Sequence, residues 1–189
     1  MSTKLKIYLK AIIFGGVIFA ALLLFFTIGA KKMPPLTGWL QNFALSQQVK
    51  SAPPIAFRDE NGNEKNVSDF QGRVLLVNFW ATWCAPCIRE LPSLARLQAQ
   101  KGGRNFTVLA VSADLKGASV AKPFLKRHGL EKLPLYLDPE MAFARAFGVK
   151  SLPTTILIDK KGNVVGSLAG LAEWDSAEVA ALIDFFRNR

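Results

Sequence analysis

The apolar run Val74-Leu75-Leu76-Val77-Asn78-Phe79 leads directly into Trp80-Ala81-Thr82-Trp83-Cys84-Ala85-Pro86-Cys87, and these two cysteines are the only ones in the chain. A nearly continuous apolar stretch of this kind suits a central strand buried on both faces. Pro86 has no N–H, and its ring fixes φ near about −65°, which fits the first turn of a helix. The cysteines therefore stand where a buried strand ends and a helix begins. Any fold for this chain has to carry a dithiol at that junction.

The junction favours thiol–disulfide exchange. A thiolate attacks a disulfide, and the free N–H groups and dipole at a helix N-terminus help a cysteine to lose its proton. With two residues between them, Cys84 lies at the exposed lip of the helix and Cys87 one turn inward, within reach of a mixed disulfide on Cys84. Cys84 is the expected nucleophile and Cys87 the resolver. Ala85 and Pro86 add no cation to stabilise a thiolate, so the expected couple is reducing, on the order of −250 mV. Three other readings of the pair exist. Structural zinc wants four ligands, and His128 is the only histidine that could join the cysteines. Cu(I) accepts two soft sulfurs, which leaves a copper-delivery or peptide-binding module as the alternative function. The last reading is a pair of inert core cysteines.

Residues 11–30 carry no charged side chain, and 20 residues of helix would span about 30 Å, the thickness of a bilayer's hydrocarbon core. A transmembrane helix is expected there. A cleaved signal peptide competes, although its apolar region usually runs about 7–15 residues, and Lys31 and Lys32 stand where cleavage needs small neighbours. Lys4, Lys6 and Lys10 precede the span, so the positive-inside bias puts residues 1–10 in the cytoplasm. In a bacterium the C-terminal domain would then face the periplasm, with the chain held in the inner membrane as a single-pass protein.

The overall charge is +10. Five cations lie in residues 1–32 and every carboxylate lies beyond, which leaves nineteen cations against fourteen carboxylates, a net of +5 for the remainder. Those cations read as scattered singly or in pairs such as Lys126-Arg127, a solvated surface with no nucleic-acid stripe.

Residues 31–52 hold Pro34-Pro35, Gly38 and a Gln/Ser-rich stretch, and read as a linker, with Trp39, Leu40, Phe43 and Leu45 able to form a short packing helix. A domain is expected over 53–189. Asn61-Gly62 between Ile55-Ala56-Phe57-Arg58 and Lys65-Asn66-Val67 predicts a β-hairpin. Apolar spacing of three to four residues after Cys87 predicts a helix bent at Pro92. Phe106 to Val111 predicts a second buried strand, and residues 118–128 a helix closed by Gly129. A short helix is expected over 141–147, an antiparallel hairpin over 154–167 and a final helix from Asp175 or Ser176 to Phe186. Alternating strands and helices imply a partly parallel sheet in an α/β fold.

The run Asn78 to Cys87, Glu90 and Pro92 after it, and Leu152-Pro153-Thr154-Thr155 further on resemble membrane-anchored thioredoxin-like proteins of the TlpA branch, related to the ResA and CcmG reductases. The likeness covers about residues 53–187, including the segment around 115–140 and Ala169-Gly170-Leu171-Ala172-Glu173-Trp174. It implies a thioredoxin-like fold with a mixed central sheet flanked by helices and an N-terminal β-hairpin extension. It also implies a thiol:disulfide oxidoreductase without a cofactor. The partners implied are disulfide-containing periplasmic proteins of cytochrome c or oxidase copper-site maturation, namely apocytochromes or copper-assembly proteins. A membrane thiol transporter of the DsbD or CcdA kind would return the electrons.

The same resemblance implies a cis peptide before Pro153, opposite Cys84, where backbone groups of Leu152 pair with an extended substrate. Pro153 as a plain strand-entry proline is the alternative. Glu90 matches an acidic residue near the active site of ResA-like proteins, and would modulate thiol pKa or shuttle a proton. A solvated glutamate on the helix surface is the other reading. Trp83 and Pro86 are expected at the substrate surface, and Trp80 in the core. Thioredoxins proper carry a buried Asp where this chain has Asn78, and an amide cannot exchange a proton. Asn78 is then either a hydrogen-bonding site residue or an ordinary strand residue. His128, near a helix C-terminus, is assigned no catalytic role.

Overall fold

The computed structural model describes Gly16 and residues 32–189. The basic terminus and the span expected over 11–30 lie outside the described residues, Gly16 excepted. Among the described residues, no helix is long and apolar enough to cross a membrane.

Residues Pro34–Arg189 form one unit. Its strands are β1 (Ala44–Ser51), β2 (Phe57–Asp59), β3 (Glu64–Lys65), β4 (Val74–Trp80), β5 (Phe106–Ser112), β6 (Leu135–Leu137), β7 (Thr154–Ile158) and β8 (Asn163–Ala169). Its helices are α1 (Ala85–Lys101), α2 (Ala118–Arg127), α3 (Ala142–Ala146) and α4 (Ala177–Arg187). The strands make one mixed sheet in the order β1-β8-β7-β4-β5-β6-β2-β3. β4 runs parallel to β5 and antiparallel to β7. Both of these central parallel strands are buried along their whole length, which is why their sequence is apolar without alternation.

Side chains alternate across a strand. Leu75, Val77 and Phe79 of β4 face a cluster that includes Phe57, Phe143 and Ile156, so one side of the sheet is closed by aromatic packing under α3. Leu76, Asn78 and Trp80 face the other side, and a hydrogen bond from Asn78 to Glu90 shows that α1 lies there. α1 is amphipathic as its spacing predicts, burying Cys87, Glu90, Leu91, Leu94 and Leu97. It passes through Pro92 without interruption.

The hairpin at Asn61-Gly62 forms β2 and β3, with Gly62 in the left-handed region at φ 87°. The hairpin expected over 154–167 forms β7 and β8. The linker reading of residues 31–52 needs correction. Gly38–Leu40 form a 3-10 turn rather than a packing helix, and Ala44–Ser51 add an edge strand to β8. Leu40 and Phe43 are buried, so the stretch packs onto the unit although β1 itself is exposed throughout.

Register places the functional loops together. Phe79 pairs with Thr154, Trp80 with Ser112, Ser112 with Leu137, and Thr154 with Ala169. Given the directions of these strands, the segments 81–84, 113–117, 138–141, 151–153 and 170–174 all leave the same edge of the sheet.

Candidate active site

At that edge, Cys84 is the N-cap of α1 and Pro86 falls in its first turn, as the missing proline N–H predicts. Cys84 and Cys87 are joined by a disulfide with a Cα–Cα distance of 5.3 Å. The Cys87 N–H donates to Cys84 Sγ at 3.4 Å, so a backbone donor of the first helical turn already faces this sulfur. Cys84, expected at an exposed lip, is buried in the disulfide form, where its sulfur is turned to Cys87, and Cys87 is fully buried. Trp83 beside them is 69% exposed, whereas Trp80 is fully buried, as its core reading requires.

Glu90 is the main departure from an ordinary surface glutamate. It is fully buried, three residues after Cys87 and so on the same face of α1. Its Oε2 accepts from the Trp174 indole N–H and the Ala172 backbone N–H, each at 3.1 Å. Its Oε1 accepts from Asn78 Nδ2 at 2.6 Å. Burial strips water from the carboxylate and raises its pKa to about 7, against the opposing pull of the Trp174, Asn78 and Ala172 donors. Asn78 is buried too and also donates to Thr155 Oγ1 at 2.9 Å, while its own Oδ1 has no partner. Ser93, one turn along, donates to the Glu90 carbonyl and accepts from the Trp174 backbone N–H.

The Leu152–Pro153 peptide is cis, as the resemblance implies. Pro153 is buried, and its carbonyl accepts from Gly170 N–H at 2.9 Å. The backbone N–H and C=O of Leu152 take no hydrogen-bond partner among the described residues. His128 caps the C-terminus of α2 and stacks on Phe124, with ring centroids 4.1 Å apart. No group of three or more His, Cys, Asp or Glu side chains able to hold a metal occurs among the described residues.

One site residue escaped the sequence reading. Asp114, buried just past β5, accepts from the Thr82 backbone N–H at 3.0 Å, the Thr82 hydroxyl at 2.7 Å and the Ser112 hydroxyl at 2.8 Å. It ties the loop before Cys84 to the loop before α2. The signal is an aspartate two residues past an apolar strand that ends in Ser112, which reads in sequence as a plain loop residue. Asp114→Ala leaves these donors without their acceptor and is expected to cost about 2–3 kcal/mol in urea unfolding. Asp114→Asn, which keeps one oxygen, should cost about 1 kcal/mol or less.

A strand-to-helix dithiol, a cis-proline at the facing strand and a mixed sheet between helices define a thioredoxin-like redox protein. The family model that matches is Redoxin, over residues 47–183. ResA of Bacillus thuringiensis subsp. konkukian is 31% identical over 153 residues, covering 81% of this chain and 87% of that protein. ResA of Geobacillus kaustophilus is 38% identical over 120 residues, covering 64% and 68%. A Chlorobium tepidum structure assigned as thiol:disulfide interchange protein DsbE superposes with a TM-score of 0.65 at 30% identity, over 74% of this chain and 98% of that one. The chain belongs to the Redoxin family, as a ResA/TlpA-like member. It is a thiol:disulfide oxidoreductase with Cys84 and Cys87 as its Cys-x-x-Cys pair.

Proposed function

We propose that this chain is a membrane-anchored reductase facing the periplasm, held by residues 11–30 in the bacterial inner membrane, with its redox domain over 34–189. In its reduced form the Cys84 thiolate attacks a disulfide of a partner protein, forming a mixed disulfide and releasing one partner thiolate. The Cys87 thiolate then attacks Cys84 Sγ, which releases the second partner thiolate. Two electrons have passed to the partner, and Cys84–Cys87 is oxidised. The observation that carries this reading is the position of Cys84 at the N-cap of α1, with a backbone N–H aimed at its sulfur.

Glu90 modulates the dithiol in this scheme. Its pKa of about 7 lets the carboxyl hold a proton near neutral pH and pass it to or from the neighbouring Cys87. A carboxylate there raises the thiol pKa, and a neutral carboxyl does not. Trp83 and Pro86 supply an apolar contact surface. The open backbone groups of Leu152, before Pro153, pair with an extended partner segment as a strand edge would.

The partners proposed are apocytochromes c or copper-assembly proteins of the oxidase. A membrane thiol transporter of the DsbD or CcdA kind would re-reduce Cys84–Cys87. A tether to the same membrane raises the effective concentration of such neighbours.

Trapping tests the scheme. With Cys87→Ser, the mixed disulfide has no resolver and should accumulate through Cys84 on a periplasmic protein, identified by mass spectrometry after thiol-blocking lysis. Cu(I) retained by the wild-type chain with no trapped disulfide would favour copper delivery instead.

A further inference from the structure

The carboxylate tie from Asp114 to Thr82 puts the loop before Cys84 against the start of α2, and a groove opens there. It is lined by Thr82, Ser119, Val120, Pro123, Phe124 and Arg127. Ser119, Pro123 and Arg127 are spaced four apart, so they share one face of α2. The groove follows that face away from the cysteine loop for about 12 Å, eight residues of helical rise. Two large apolar side chains stand next in sequence to the tied residues, Trp83 after Thr82 at 69% and Leu115 after Asp114 at 87% exposure. They project from loops that Asp114 holds together.

The segment that carries α2 has charge of one sign. From Leu115 to Leu130 the chain carries Lys116, Lys122, Lys126 and Arg127 and no Asp or Glu. Only Lys122 finds an ion partner among the described residues, Glu60 at 3.3 Å. Lys116, Lys126 and Arg127 are exposed and enter no ion pair among the described residues. Lys116 precedes α2 on the side of the active-site loop, and Lys126 and Arg127 stand in its last turn, with Arg127 lining the far end of the groove. Asp114, the nearby carboxylate, is buried and committed to its three donors.

We propose that this groove docks the polypeptide flanking the target cysteine of the partner, and that it fits an acidic segment with an apolar residue beside the cysteine. The apolar residue rests on Trp83 and Leu115. A carboxylate about three to five residues further along reaches Arg127, since an extended chain advances about 3.3 Å per residue. Complementary charge then steers the encounter and sets the register of attack. An anionic membrane surface is the other anion such a patch would meet. The groove starts at Thr82, however, two residues from Cys84, so lipid bound there would cover the sulfur that the partner must reach.

The inference rests on the proposed attack of reduced Cys84 on partner disulfides, so the test reads the two separately. The probes are two peptides alike except for Asp or Lys at positions three to five from a single cysteine, which is carried as a mixed disulfide with 2-mercaptopyridine. Cys84 attack expels 2-thiopyridone and leaves the peptide on Cys84; Cys87 then releases the peptide thiol. 2-Hydroxyethyl disulfide, small and neutral, reports exchange without docking. For the full chain in neutral detergent at low salt, the Asp peptide should react about tenfold faster than the Lys peptide. The preference should collapse in about 0.5 M KCl, where screening is short-ranged. Lys116→Glu combined with Arg127→Glu should reverse it while leaving 2-hydroxyethyl disulfide reduction unchanged. Equal rates for the two wild-type peptides overturn the proposal. So does a preference that survives in the double variant, including one that persists while binding to anionic phosphatidylglycerol vesicles is lost. A double variant that slows 2-hydroxyethyl disulfide as much as the peptides also overturns it, since the cations would then act on the fold. Failure of the wild type to reduce 2-hydroxyethyl disulfide would count against the exchange chemistry itself.

Discussion

Glu90→Gln is expected to make the disulfide form more stable at pH 8.5 by about 3 kcal/mol, and to change it little at pH 4.5. The carboxyl titrates near 4.5 when solvated and about 7 in the folded chain, so the folded state holds the proton more tightly than the unfolded one. Stability from this group is fully present below about 4.5, falls as pH rises between the two values and is lost once pH passes through about 7. At about 1.4 kcal/mol per unit, the difference amounts to about 3 kcal/mol, and Glu90 is too fully buried for solvent screening to reduce it much. Glutamine keeps the shape and cannot ionise. Its Oε1 can accept from the Trp174 and Ala172 N–H groups, and its amide N–H can donate to Asn78 once that side chain turns its unpartnered Oδ1 around. Urea unfolding at a series of pH values checks this. Parallel wild-type and variant curves between pH 4.5 and 8 would rule out Glu90 as the source of the slope. In the reduced protein the same substitution should lower the apparent pKa of Cys84 alkylation, because a neighbouring carboxylate no longer opposes the thiolate.

Much of this site can be read from the residues, and what cannot has a physical cause. β4 is legible because a strand buried on both faces has to be apolar throughout, and the dithiol is legible because cysteine, proline and cysteine sit at its end. Apolar spacing gives α1, and Asn61-Gly62 gives the β2–β3 hairpin. β1 leaves no such mark. It is an edge strand with one neighbour, and all eight residues are exposed, so neither face imposes alternation. β6 has only three residues after Pro134, too few for a period to show. The sequence places Glu90 on α1 but not its burial, because its donors, Ala172 and Trp174, lie 82 and 84 residues away and approach only when β8 returns to the functional edge. Asp114 is similar: its partner Thr82 is 32 residues earlier, brought close by the parallel pairing of β4 with β5.

Trp174 carries the other large expectation, because it fills the core and also holds down the pKa that burial raises at Glu90. The side chain is almost completely buried, and Trp174→Ala should cost about 3–5 kcal/mol through the cavity it leaves. That loss alone would not distinguish packing from a role at the site. Trp174→Phe does, since it keeps an aromatic ring and deletes only the indole N–H that donates to Glu90 Oε2. The carboxylate would then retain the Ala172 and Asn78 donors, and because the Trp174 hydrogen bond pulls the pKa of Glu90 down, losing it should push that pKa above 7. Stability should therefore go on falling at pH values where the wild type has levelled off. The alkylation profile of reduced Cys84 should move in step, with the carboxyl staying neutral to higher pH beside the dithiol. The variant would also leave the other anchors of the segment in place: the Trp174 backbone N–H on Ser93, and the Arg96 side chain paired with the Glu173 and Asp175 carboxylates. A Phe variant that loses stability equally at every pH, with an unmoved alkylation profile, would reduce Trp174 to a packing residue. In that case Asn78 and Ala172 would be the donors that moderate the desolvation of Glu90.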